Sequence, residues 1–183
     1  DKYQSETNNL SGRTHLSLGG MTTGWSRGMS LTANFGFDYY NGNVLQYYNP
    51  FFGNAESVRG RITTQNTSSL GLTFNQLFTY NRSFGNHNID ALIGHEWYSY
   101  DEKYLLGGKT GVPFGGLYEL DAATTITSVG GASDKYRIES YMGRLNYDYN
   151  EKYYLSASLR KDGSSRFHKD SRWGNFWSIG GSY

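Results

Sequence analysis

Two alternating segments, separated by only a few residues, constrain this chain more than any other feature. Leu145, Tyr147 and Tyr149 alternate with Arg144, Asn146 and Asp148. Tyr153, Leu155, Ala157 and Leu159 then alternate with Tyr154, Ser156, Ser158 and Arg160. Strand side chains point to opposite faces with period two, so each segment reads as a strand with one apolar and one polar face. Asn150, Glu151 and Lys152 between them leave room only for a hairpin turn. Such a hairpin fits a soluble sandwich or a membrane barrel equally well, and the rest of the chain must decide.

The pattern recurs along the chain. Residues 10–20 read as a first strand, with Leu16 and Leu18 opposed to His15 and Ser17. Residues 29–40 alternate most cleanly: Leu31, Ala33, Phe35, Phe37 and Tyr39 against Ser30, Thr32, Asn34, Gly36 and Asp38. Residues 61–80 carry Leu70, Leu72, Phe74, Phe78 and Tyr80 on one face, which Gln76 interrupts with no local reason. Ile89, Ala91, Ile93 and Trp97 share a face in residues 89–100. Residues 136–149 and 153–160 form the hairpin, and Trp173, Trp177, Ile179 and Tyr183 begin a seventh strand. Short connections at 21–28, 81–88 and 150–152 alternate with long ones at 41–60, 101–135 and 161–172. In an up-and-down meander this segregates loop length by end, as in outer-membrane barrels, whereas a sandwich has no reason to do so. A loop as long as 101–135 would also be foreign to a compact soluble domain. No segment has helical periodicity. The expectation is an all-β antiparallel up-and-down meander of about seven strands.

Composition supports the same reading. The 183 residues include 17 Tyr and 24 Gly but no Cys and only two Pro. Disulfides, thiolate metal sites and Cys nucleophiles are therefore excluded. A net charge of +1 gives no field that would favour nucleic acid. The mean hydropathy of -0.66 is low for a compact core, but suits strands with one polar face and aromatics at an interface. No apolar run approaches the ~18 residues of a transmembrane helix, while a barrel strand needs only about 9–11. Asp1, Lys2, Tyr3 and Gln4 open no leader pattern, so the chain is expected to be processed or part of a longer one.

Chemistry-bearing residues are few. His87 and His95 share a strand face but lie about 26 Å apart at ~3.3 Å per residue, too far for one metal, and His15 and His168 read as ordinary polar positions. No cofactor is expected. Gly107-Gly108 and Gly130-Gly131 lack the context of a phosphate cradle, and Asp101-Glu102 reads as solvated charge rather than half of a glycosidase pair. Ser164 and Ser165 lie outside any nucleophile elbow. The segment from Asp162 to Arg166 reads as a structural loop, with Asp and Ser bonding backbone and Arg reaching a carboxylate. Tyr147, Tyr149, Tyr153, Trp97, Trp173 and Trp177 fit an interfacial girdle. Tyr47, Tyr48, Phe51, Phe52 and Tyr118 fall in the long connections, where they are candidate contacts to a ligand or a lid protein, with loop packing as the alternative.

Arg160, Asp162, Gly163, Ser164, Ser165, Arg166 and Phe167, followed by Arg172, Trp173 and Gly174, resemble a stretch of the SusC/RagA family of TonB-linked outer-membrane proteins of Bacteroidota. That family carries R-x-D-G-S-S-R-F-G, a short spacer and R-W-G-x-F-P-S. The segments 83–96 and 143–160 resemble family strands in the expected order. His168 replaces the usual Gly and Trp177 an often-found Pro, departures that bear on loop geometry. The resemblance implies a transmembrane barrel of about 22 strands with a plug. Residues 1–183 would be a fragment of that barrel, with the plug absent. It further implies import of oligosaccharides or peptides across the outer membrane. A SusD-like surface lipoprotein would be the partner, TonB would engage the missing N-terminal region, and outer-membrane lipid would surround the barrel. No catalytic activity is expected. The competing expectations are a small self-contained barrel or adhesin, and a soluble carbohydrate-binding sandwich.

Overall fold

The computed structural model describes residues 1–19 and 24–183. Seven strands form one sheet in sequence order: β1 (Lys2–Leu18), β2 (Met29–Tyr48), β3 (Arg61–Phe84), β4 (His87–Thr110), β5 (Thr125–Tyr149), β6 (Tyr153–Ser164) and β7 (Trp173–Ser182). The meander is the expected one, and its single sheet rules out the sandwich. No helix among the described residues is long and apolar enough to cross a membrane.

Strand ends differ from the sequence expectation in one direction. β1 starts at Lys2, β2 runs on to Tyr48, β4 to Thr110, and β5 begins at Thr125. The connections expected at 41–60, 101–135 and 161–172 therefore shrink to 49–60, 111–124 and 165–172. The extra residues are strand without apolar alternation: both of their faces are polar or mixed, so period two leaves no mark there. The turn expected at 81–88 is only Gly85 and Asn86. Residues 20–23, the last of the expected first strand and the first part of the turn expected at 21–28, lie outside the described residues. Short and long connections still alternate.

The β5–β6 hairpin pairs Tyr149 with Tyr153, and Asn150 and Glu151 both take positive φ (56° and 54°), as primed hairpin turns require. Gly28 (φ 84°) accepts the amide of Asn81 at 2.8 Å, and a Cβ there would fall 1.9 Å from the Asn81 carbonyl oxygen. Only glycine fits this approach.

The chain divides into two compact units. One comprises residues 1–11, 38–71 and 100–135 and holds a small packed core. In it Tyr47, Ile62, Val112 and Ala123 are buried, with Leu45, Leu120 and Ala122 against them. The other comprises residues 12–37, 72–99 and 136–183 and has the reverse arrangement. There Leu31, Phe35, Phe78, Ile93, Leu145, Leu155, Leu159, Trp177 and Ile179 are all exposed, Trp177 to 75% and Ile179 to 70%.

Register places these residues together. Leu145 faces Ala157, which faces Ile179, and Leu159 faces Gly143 on one side and Trp177 on the other. Opposed residues of an antiparallel pair share a face. Across β5 to β7 one face is thus an apolar surface with none of the described residues packed upon it. An exposed patch of this kind marks contact with lipid or protein. We expect Leu145→Arg to destabilise a bilayer-embedded barrel by about 2–4 kcal/mol. Asn146→Arg on the opposite face should cost less than about 1 kcal/mol. Urea unfolding of the complete protein in lipid measures both.

Candidate functional site

The face opposite the apolar surface is a hydrogen-bonded polar wall. His15 bonds Asn34, whose amide donates to Asn75 at 2.6 Å, and Ser30 bonds Thr79. Asp90 accepts from Asn81 (3.2 Å), Asn146 (3.2 Å) and Arg144 (3.4 Å), while Asn88 donates to Asp148 at 2.9 Å. Ser158 and Ser178 bond at 2.8 Å. Of these, Asn81, Asn88, Asp90, Asn146 and Asp148 line an open depression of about 610 Å³ that also takes in Tyr154 and Gly180. Amides and hydroxyls predominate, so the wall presents alternating donors and acceptors with little net charge.

The apolar face is broken by one oblique row. Gln76 Oε1 lies 3.2 Å from His95 Nδ1, and His95 Nε2 lies 3.2 Å from Glu139 Oε1, which accepts the Tyr141 hydroxyl at 2.6 Å. Tyr141 is opposite Lys161, and Lys161 is opposite Asn175. The interruption at Gln76 therefore has a physical account: the amide is the deepest member of a ladder across neighbouring strands. On β3 it lies between Phe74 and Phe78, whereas on β6 Lys161 already lies beyond Leu159. Barrel strands tilt by about 35–45°, so one row of opposed residues enters the apolar belt on β3 and leaves it by β6.

Aromatics close both margins of the belt. Near the short turns His87 stacks on Phe84, packs against Tyr149, and bonds the Tyr147 hydroxyl at 2.7 Å. At the other margin Tyr141 packs against Trp173, over which Lys161 places its ammonium 5.1 Å from the ring centroid.

The DGSSRF segment spans the end of β6 and its turn. Arg160 donates Nε to both Asp162 oxygens (2.8 and 2.9 Å) and reaches Ser140. Ser165 exchanges two bonds with the Arg137 backbone, giving its amide to the carbonyl (2.9 Å) and accepting the amide at Oγ (2.8 Å). The Ser164 amide donates to the Arg172 carbonyl, the Arg166 amide to Ser164 Oγ, and the Arg166 guanidinium lies over Tyr136. Gly163 has the Trp173 ring where a Cβ would stand, at 2.7 Å. Phe167 is exposed, and Gly174 is the second residue of β7. The segment ties β5, β6 and β7 together.

The candidate contact residues separate. Phe51 and Phe52 project from the 49–60 connection, 60% and 64% exposed, and Tyr118 belongs to the 111–124 connection. Tyr48 ends β2 and is half-buried. Tyr47 is not a loop residue as expected: it lies on β2, 4% exposed, packed edge-on to Tyr118 at 5.0 Å, with its hydroxyl accepting the Gly116 amide. Extension of β2 carries it into the core, so it supports Tyr118 and presents no surface of its own. Lys2 lies over Tyr118. Asp101 pairs with Lys135 and Glu102 accepts the Tyr100 hydroxyl. Among the described residues no group of His, Asp and Glu could hold a metal ion.

An antiparallel meander with an apolar outer belt, aromatic margins and a polar opposite face is a piece of a transmembrane β-barrel wall. The chain is 30% identical over 164 residues to TonB-dependent receptor P39 of Formosa agariphila, a match that takes in 83% of this chain and 15% of that protein. It is 29% identical over 173 residues to TonB-dependent receptor SusC of Bacteroides thetaiotaomicron (91% and 15%). The solved RagAB peptide transporter superposes with a TM-score of 0.87 over 98% of this chain and 20% of that one, at 23% identity. No family model matches. The chain is a barrel segment of the SusC/RagA-like TonB-dependent receptors, and spans about 15% of the length of the curated relatives it matches.

Sequence reading missed the ladder, although its signal was present: Gln76, His95 and Lys161 each interrupt an apolar alternation on neighbouring strands. Removing one member leaves a polar partner stranded beside hydrocarbon. We expect His95→Leu to destabilise the receptor by about 1–3 kcal/mol. Gln76→Leu, His95→Leu and Glu139→Leu together should be close to neutral. Unfolding midpoints of the two variants decide this.

Proposed function

We propose that the complete receptor imports nutrients across the outer membrane, driven through TonB, and that residues 1–183 form part of its barrel wall. The plug and the TonB-contacting segment would belong to the remainder of the receptor. The apolar belt would face lipid, and the amide-rich wall would line the lumen. The observation that carries this reading is the inverted arrangement of the belt unit, in which Leu145, Leu155, Leu159, Trp177 and Ile179 stand exposed on one face, opposite the hydrogen-bonded polar wall. The naming of the relatives as TonB-dependent receptors supports it, as does the likeness to a peptide transporter.

Oligosaccharides or peptides are the substrate classes that suit the wall. Alternating amide and hydroxyl groups bond sugar hydroxyls and peptide groups alike, without demanding charge. A SusD-like surface lipoprotein would deliver them. Phe51, Phe52 and Tyr118 would meet that lid or its cargo, with Tyr48 beside them and Tyr47 as their support. The protein acts as a transporter and carries out no chemistry on its cargo.

The test is uptake of labelled oligosaccharide and labelled peptide by cells carrying the full receptor and its lipoprotein. Uptake of one class should vanish when TonB is deleted. Phe51→Ala with Phe52→Ala should lower uptake about tenfold or more at unchanged receptor abundance, the scale of one interface hot spot. Uptake that survives loss of TonB, or of the receptor itself, would sink the reading.

A further inference from the structure

The apolar face is not uniformly filled. Small residues come together on it: Gly143 opposes Leu159, and Ala157 opposes Leu145. With Ala91 and Ile93 they line a shallow trough of about 370 Å³. A Cβ on Gly143 would meet only the Leu92 carbonyl oxygen, at 3.9 Å. The trough is therefore open outward, and no neighbouring side chain fills it.

Its end away from the short turns is capped by polar and aromatic groups. Tyr141 follows Gly143 on the same face of β5, and Lys161 follows Leu159 on β6. The Lys161 ammonium rests over Trp173 and has no carboxylate partner among the described residues. Glu139, the nearby acid, is bonded by Tyr141 and paired with His95. One free cation thus stands at the head of an apolar trough, at the belt margin where a headgroup lies.

We propose that this trough is a specific lipid site: a phosphate-bearing lipid of the outer leaflet lays one acyl chain along Gly143 and Ala157 and places its phosphate on Lys161. The inference rests on the barrel-wall reading proposed above, with the longer connections placed on the outer side of the membrane as in other outer-membrane barrels. It is independent of what the receptor transports. The trough accepts a flexible chain without strain, and the ammonium supplies a point charge for the phosphate. The aromatics at its head suit the interface.

The experiment is native mass spectrometry of the complete receptor, delipidated in mild detergent and titrated with bisphosphorylated lipid A, with dephosphorylated lipid A and inorganic phosphate as controls. Two variants are compared, Lys161→Gln and Gly143→Leu, the second filling the trough from a position where added side-chain atoms meet open space. We expect one tightly held lipid A, weaker retention of the dephosphorylated form, and no displacement by inorganic phosphate. Lys161→Gln should weaken retention about fivefold, the equivalent of about 1 kcal/mol per basic residue at a membrane surface, and Gly143→Leu should weaken it at least as much. Heat-modifiable migration on gels verifies that both variants are folded. Equal retention of the two lipid forms, or unchanged retention in either folded variant, would overturn the proposal. Transport failure with lipid binding intact would count against the proposed function alone.

Discussion

Everything in the belt unit depends on a backbone constraint. A strand sends alternate side chains to opposite faces, and here those faces have opposite solvent preferences. Leu145, Ala157 and Ile179 fall on one side, Asn146, Ser156 and Gly180 on the other. None of the described residues covers the apolar side, so its stability has to come from outside. Hydrocarbon fits, because each interior strand satisfies its backbone groups with two neighbours. The outermost strands β1 and β7 need further strands for the same reason. A segment spanning a small share of the receptors it resembles is consistent with that need.

The unit with the buried core obeys different rules. In it the connections at 49–60 and 111–124 cover the strands. Val112 and Ala123 pack onto Tyr47 and Ile62, and the Tyr47 hydroxyl is satisfied by a loop amide. The exposed Phe51 and Phe52 stand on a scaffold that is itself packed.

The legible and illegible parts of the sequence divide along the same line. Wherever one face meets lipid and the other water, alternation located the strand, as with Leu31 to Tyr39 on β2 and Tyr153 to Leu159 on β6. Beyond the belt the same strands continue with mixed faces, and β4 from Asp101 to Thr110 looked like loop. Tyr47 was misplaced for this reason. The DGSSRF segment was legible as a motif, but its geometry was not, because the partners Arg137 and Ser140 lie on another strand. The ladder was hidden differently: each member looked like a local flaw, and only register across β3 to β6 aligns Gln76, His95, Tyr141 and Lys161 into one oblique row. That obliquity is the strand tilt of a barrel, visible in side-chain chemistry.

The central claim is that β6 separates lipid from lumen residue by residue. Spin labels placed singly from Leu155 to Leu159 in the complete receptor, reconstituted in bilayers, test it through collisions with oxygen and with a water-soluble nickel chelate. Oxygen accessibility should peak at positions 155, 157 and 159, and nickel accessibility at 156 and 158, the two profiles running out of phase with period two. Profiles in phase, or without alternation, would contradict the assignment of the two faces and with it the barrel-wall account.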